Sequence, residues 1–388
     1  MRPVDFIAGN HVKLLFCGGE YFPALIAAFD AAQFEIYLET YIFALDPTGI
    51  EVRDALARAA ARGVTVNVIT DWLGTGHRIS TILNQQFRAA GVNHRVFNSW
   101  FRRGVTRTHR KICVVDRSIA FVGGLNINYD MISDDGFEVP LPAPRWDVAV
   151  SVTGPLVPVI HADTQAQWML LGGLHLRFRW ERFRERYAYR FHAGKGDTTA
   201  ALVLRDNLRN RRTIQRTFLK ALGGARGSAL LANAYFAPGR KLRDGLAAAA
   251  ARGIDVTLLI GVGQFRIQDA VAHSFYPKLL KSGVRVVEYR KTQLHGKVAV
   301  IDDDWATVGS SNWDGFSLFV NQEANVVVRD AAFAHDLRQH IERAIAEGVT
   351  IRMEDYANIP WYKRAWHGAA YLFYKSVLRL ITRGRGTE

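Results

Sequence analysis

Cysteine is scarce in this chain of 388 residues: only Cys17 and Cys113 occur, far apart and with no CxxC or Cys/His companion. Their isolation argues against a disulfide framework or a cysteine zinc site, and makes a reducing cytoplasm the expectation. Long apolar runs are missing too, since none approaches the roughly 18 to 20 residues that span a bilayer. Residues 1–18 have no charged start followed by a long apolar core, so no signal peptide is expected. Negative charge is in deficit: 36 acidic side chains face 50 Lys and Arg, a formal net charge of +14. Encounters are biased toward anionic partners, either nucleic acid or a membrane surface, and charge alone does not choose between them. Apolar residues are plentiful, and at 49% of the chain they suffice to fill two cores of ordinary domain size.

The hydrophobic pattern alternates between helix and strand and then repeats. Phe22, Leu25, Ile26 and Phe29 recur at helical spacing before an alternating strand at 34–39, and a helix over 49–62 stops at Gly63 before a strand at 64–69. A third unit has a helix at 82–90, a stop at Gly91 and a strand at 92–97. Strands follow at 109–116, 119–122 and 146–152. The second half runs helix 213–222, strand 229–235, helix 240–252, strand 254–260, helix 269–281, strand 284–289, and closes with a strand at 324–329 and a helix at 331–347. Ala-Arg-Gly-Val at 61–64 corresponds to Ala-Arg-Gly-Ile at 251–254, which indicates two domain-sized α/β units and not a solenoid of short repeats.

One pattern organises both units. His109, Lys111 and Asp116 form His-x-Lys-x-x-x-x-Asp, and His295, Lys297 and Asp302 repeat it. Each copy is followed by a small-residue corner and an asparagine: Gly123-Gly124-Leu125-Asn126 and Gly309-Ser310-Ser311-Asn312. On a strand, residues two apart share a face, so each His and Lys line the site, while each Asp points away to support a turn or a neighbouring shell. Phosphodiester transfer needs a nucleophile, an acid for the leaving oxygen and fixed positive charge on the non-bridging oxygens. Two His, two Lys and two Asn amides supply these, so neither a metal nor another cofactor is expected.

These paired motifs resemble the signature of the phospholipase D superfamily. Within it the chain is similar to bacterial cardiolipin synthases of the shorter branch without membrane spans. Further marks are Glu39-Thr40-Tyr41-Ile42, Arg145-Trp146-Asp147, Asn233 to Pro238, Leu294-His295-Gly296-Lys297 and Asn321-Gln322-Glu323-Ala324-Asn325. The resemblance implies an α/β fold of two similar phospholipase D-like domains, 1–175 and 201–350. Each is a mixed sheet flanked by helices, with the active site at their interface. It makes His109, Lys111, Asp116, His295, Lys297 and Asp302 the catalytic motif residues. His109 is the candidate nucleophile and His295 the general acid/base, an assignment that can be reversed. Lys111, Lys297, Asn126 and Asn312 would hold phosphate oxygens, and Glu323 and Asp147 would orient the histidines. Because Gly124 stands where the other corner has Ser310, the two half-sites are not chemically equal. The implied reaction joins two phosphatidylglycerol molecules, or phosphatidylglycerol and another phospholipid, through a phosphohistidine, at the cytoplasmic face of the bacterial inner membrane. The competing readings are a phospholipase D hydrolase, a phosphodiesterase or nuclease of the same superfamily, and a non-enzymatic module that binds anionic surfaces with a dead site. No nucleic acid partner is expected.

Two further stretches suggest membrane contact. Residues 176–192, in the linker 176–200, interleave six arginines with aromatic rings, a composition suited to phosphates and the lipid interface. The terminal segment 358–388 reads as a helix from Trp361. A stripe of Trp366, Ala370, Phe373, Val377, Leu380 and Ile381 stands against Arg364, Lys375 and Arg379, and the expectation is an anchor separate from the catalytic fold.

Overall fold

The structure is a computed structural model that describes residues 4–101, 104–134, 139–172, 196–206, 210–357 and 359–382. The basic-aromatic stretch 176–192 and the tail 383–388 lie outside the described residues.

The first half contributes β1 (Ile7–Phe16), β2 (Glu35–Thr40), β3 (Thr65–Asp71), β4 (Asn93–Phe97), β5 (Ile112–Val115), β6 (Ile119–Gly123) and β7 (Val148–Thr153). The second contributes β8 (Thr198–Arg205), β9 (Ser228–Asn233), β10 (Phe236–Ala237), β11 (Asp255–Gly261), β12 (Arg285–Tyr289), β13 (Lys297–Ile301), β14 (Trp305–Gly309), β15 (Trp313–Asp314), β16 (Glu323–Arg329) and β17 (Val349–Ile351). Outward from the centre, one half runs β1-β7-β6-β5-β2-β3-β4 and the other β8-β16-β14-β13-β9-β11-β12, with β17 added at the far edge. The order of corresponding strands is the same, which is the repeat anticipated from sequence. The two mixed sheets are not separate, because β1 pairs antiparallel with β8 and joins them into one sheet of 15 strands.

Side-chain alternation sorts the strands' residues into layers. Val114, Val122 and Val150 share a core with Val300, Val308 and Val326 of the other half, whereas their neighbours Cys113, Phe121 and Ala149 face a second core with Leu25, Phe29, Val52 and Leu56. β6 also touches β14 and β16, strands well removed from it in the sheet order, so the sheet folds back across the β1–β8 seam. That fold-back turns the two motif-bearing strands toward each other.

Several boundaries differ from the pattern in the sequence. β1, β8 and the helix Val157–Leu171 were not anticipated. The helix shows no apolar stripe because it buries His161, Asp163, Thr164 and Gln167 along with Val157 and Ile160. The single helix expected over 269–281 is two, Arg266–His273 and Tyr276–Lys281, with a proline in the first turn of the second. Gly63 and Gly253 end corresponding helices with φ of 90° and 87°, a conformation that costs glycine little.

The terminal helix Trp361–Thr382 is not a separate anchor, as the sequence had suggested. It buries Ala370 and Leu378 against the body, and the Gly315 N–H donates to Tyr374 Oη at 2.7 Å. Gly315 has no room for a side chain, since a Cβ there would lie 2.3 Å from Leu378 Cδ2.

Candidate active site

Two short bridges build the site. Thr108 pairs in parallel with Gln322, and the His109 N–H donates to Gln322 O at 2.9 Å. Likewise Leu294 pairs in parallel with Trp146, and the His295 N–H donates to Trp146 O at 2.8 Å. Gln322 is followed by Glu323 and Trp146 by Asp147, so each bridge carries an acid of one half to the histidine of the other. The support is crossed.

His109 Nδ1 lies 3.1 Å from Glu323 Oε2 and 3.1 Å from the Ser310 carbonyl oxygen. Both are acceptors, so Nδ1 carries the proton and Nε2 keeps a bare lone pair. Ser310 Oγ donates to the same Glu323 oxygen at 2.5 Å and holds the carboxylate in place. Burial brings the His109 imidazolium down to about 4 although Glu323 opposes the shift. Tyr41 closes one side, its ring 5.0 Å from that of His109.

His295 is held differently. Its Nδ1 is 2.5 Å from Asp147 Oδ2, and its Nε2 is 3.2 Å from Asp134 Oδ2. A carboxylate at each nitrogen suits a ring that carries two protons. Burial, and then Lys297 with its Nζ 2.8 Å from Nδ1, pushes the pKa of His295 down. Burial would raise the Asp147 carboxyl, but Lys297 and His295 outweigh it and hold it below the usual range.

The lysines complete the charge of the site. Lys111 Nζ donates to His109 O at 2.9 Å, and Lys297 Nζ donates to His295 O. Burial, followed by repulsion from Lys297, brings the Lys111 ammonium down to about 7, and burial brings Lys297 to about 8. Asn126 and Asn312 are buried; Asn126 Oδ1 accepts from the Ile42 N–H at 3.3 Å, while Asn312 Oδ1 has no hydrogen-bond partner among the described residues.

Asp116 and Asp302 are not in this cluster, so grouping them with the catalytic residues is corrected. Both lie just past their strands with φ of 49° and 48°. Asp116 accepts from the N–H groups of Gln33, Phe34 and Glu35 at 2.7 to 2.8 Å, and Asp302 from those of Arg226, Gly227 and Ser228. They tie each hairpin to the loop before β2 or β9, the turn-supporting role that side-chain parity implied.

A sequence model of the family described as "Cardiolipin synthase, PLD-like domain" matches residues 25–138 and 218–345. The chain is 39% identical over 365 residues to "Cardiolipin synthase B" of Escherichia coli K12, covering 92% of this chain and 85% of that one. This chain belongs to the cardiolipin synthase family of phospholipase D-type enzymes. "Cardiolipin synthase 1" of Bacillus cereus is 28% identical over 354 residues, covering 89% of this chain and 68% of the relative. In fold, this chain is similar to the crystal structure of phosphatidylserine synthase from Haemophilus influenzae Rd KW20, with a TM-score of 0.70, 14% identity and coverage of 98% of this chain and 97% of that one. Among the described residues, no helix is long and apolar enough to cross a membrane.

The roles of three parts of this cardiolipin synthase-family site were not read from the sequence. Asp134, besides facing His295, lies 3.3 Å from Arg145 Nη1 and accepts from Gln264 Nε2 at 2.7 Å and from Gln293 Nε2. It sits in an irregular stretch outside the repeated pattern, so only its charge was visible. Arg110, between His109 and Lys111, turns to the opposite side and pairs with Asp163 at 2.7 Å and Glu39 at 3.4 Å. Its partners lie on two other elements. Asn233 Oδ1 accepts from the Trp313 N–H at 3.2 Å, and Asn233 stands opposite Lys297 in the ladder.

The inequality of the corners has a steric cause. A Cβ on Gly124 would lie 2.1 Å from Asp147 Oδ1, whereas the corresponding Ser310 has room for a hydroxyl that bonds Glu323. Gly124→Ser is therefore expected to push Asp147 off His295 and lower kcat by roughly 10²-fold, the scale of a misplacement near 1 Å. Steady-state kinetics beside a thermal melt check this, and the melt is expected to move far less than the rate.

Proposed function

We propose that the protein is a phosphatidyltransferase that makes cardiolipin from two phosphatidylglycerol molecules through a phosphohistidine. The observation that carries this reading is the unlike support of the two rings: acceptors alone face His109 Nδ1, while carboxylates flank both nitrogens of His295. The first ring is a nucleophile and the second an acid.

His109 Nε2 attacks phosphorus of the first lipid, forming a P–N bond while the P–O bond to the glycerol headgroup breaks. His295 delivers its proton to that departing oxygen, and free glycerol leaves. The same imidazole, now neutral, takes the proton from a headgroup hydroxyl of the second phosphatidylglycerol. That oxygen attacks phosphorus, the P–N bond breaks, and His109 and the protonated His295 are restored. Lys111 and Lys297, with Asn126 and Asn312, would hold the non-bridging oxygens, on which charge builds up in both steps.

Purified protein with phosphatidylglycerol vesicles is expected to yield cardiolipin and glycerol in equal amounts, read by thin-layer separation and mass spectrometry. Phosphatidic acid as the main product would make it a hydrolase. Plasmid cleavage without lipid turnover would make it a nuclease.

A further inference from the structure

We propose that the rim around the histidine pair is the surface that docks on an anionic phospholipid bilayer, through two exposed apolar patches, one on each half of the fold. This rests on the reading that the substrates are bilayer lipids.

The first patch is the outer face of the terminal helix. Trp361, Tyr362, Trp366, Leu372, Phe373 and Leu380 are exposed there, with Leu380 as much as 81% open to solvent. The helix already has a docked face, formed by Ala370, Tyr371, Tyr374 and Leu378, so this is a second apolar face that the described residues leave uncovered. The stripe expected from sequence straddles the two: Ala370 is buried, whereas Trp366 and Phe373 face outward. Arg364, Lys375 and Arg379 lie along one flank, in a chain of net charge +14. An apolar face bordered by basic side chains fits a layer of lipid tails under anionic headgroups.

The second patch surrounds Trp72. Its ring is 5.5 Å from that of Trp100 and 5.1 Å from that of Phe101, and Trp100 and Phe101 are 65% and 48% exposed. Their backbones have φ of 56° and 54°, an unfavourable region for bulky residues. Asn98 Nδ2 holds the loop by donating to Gly104 O at 2.7 Å and Thr106 O at 2.6 Å. Backbone strain is thus spent on turning two large rings into water, where the hydrophobic effect opposes them.

Both patches adjoin the catalytic groups. Tyr374 and Leu378 pack on Gly315, in the short segment between Asn312 and Glu323. Trp72 follows Asp71, whose Oδ2 accepts from the Thr108 N–H at 2.8 Å, one residue from His109. Trp72 directly follows β3, and the terminal helix packs on Gly315 next to β15, which pairs with β10 just past β9. Both patches therefore lie toward the carboxyl ends of the parallel strands, the end at which β5 and β13 begin and His109 and His295 precede them.

The test uses the full chain and vesicles of equal parts phosphatidylglycerol and phosphatidylcholine. The triple variant Trp366→Ser/Phe373→Ser/Leu380→Ser and the double variant Trp100→Ser/Phe101→Ser are each expected to lose about 10-fold or more of vesicle binding in sedimentation. Turnover of bilayer phosphatidylglycerol should fall in parallel, with that of monomeric short-chain phosphatidylglycerol kept within about twofold. Vesicle binding by either variant within about twofold of the parent chain would overturn the docking surface. So would equal loss on short-chain lipid, which would make the patches structural braces, or a dimer that dissolves in the triple variant with vesicle binding unchanged. His109→Ala should bind vesicles like the parent chain. If the parent chain docked through these patches yet turned over no lipid, the catalytic reading would fail and the docking surface would stand.

Discussion

Turnover is expected to fall in His109→Ala and in His295→Ala, each by on the order of 10⁵-fold, with the double variant hardly slower than either single one. If nucleophile and acid serve one catalytic cycle, removing either stalls that cycle and removing both adds little. Fixed charge from Lys111 and Lys297 and the bound geometry would account for a residual rate. Rapid quenching with headgroup-labelled and phosphorus-labelled lipid separates the roles. Phosphorus label should remain on the protein in His295→Ala and be absent in His109→Ala, because Nδ1 of His109 holds the proton and no hydrogen-bond partner faces its Nε2 among the described residues, whereas His295 Nε2 faces Asp134. Label on His295 would reverse the assignment, and label on neither would indicate direct displacement between the lipids.

Glu323→Gln should be nearly as damaging, although it changes a single atom type. Glu323 Oε2 accepts from His109 Nδ1 and from Ser310 Oγ, and an amide nitrogen in that place would favour the tautomer with the proton on Nε2, where the attack must occur. A loss of roughly 10³- to 10⁴-fold in kcat is expected, about 4 to 5.5 kcal/mol of transition-state stabilisation. The pH profile tells tautomer from protonation. In the parent chain, kcat/KM should rise as pH climbs through about 4, where His109 loses its proton, begin to fall where His295, held below the usual imidazole range by burial and Lys297, loses its own, and fall further between about 7 and 8, where Lys111 and Lys297 lose theirs. Glu323 raises the His109 pKa, so its replacement should move the acid limb to lower pH while the plateau collapses. An acid limb that moved upward, or a plateau restored at any pH, would show that the carboxylate serves another purpose.

The repeated His-x-Lys spacing, the glycine-asparagine corners and the alternating apolar pattern determined the α/β class, the duplication and the identity of His109, Lys111, His295 and Lys297. They were legible because strand parity and helix period are local, and local chemistry is written in neighbouring residues. The crossed support was not legible. Glu323 lies 214 residues from His109 and Asp147 lies 148 from His295, and only the β1–β8 seam with its fold-back decides that each acid serves the other half's histidine. Asp134 faces His295 from an irregular stretch that no period marks. The outer face of the terminal helix depends in the same way on tertiary packing. An amphipathic pattern shows that a helix has an apolar side, but only the place where Ala370, Tyr374 and Leu378 dock shows that a second apolar side is left over. Contacts between residues far apart in the chain are set by how sheets fold and helices pack, and no short spacing in the sequence encodes them.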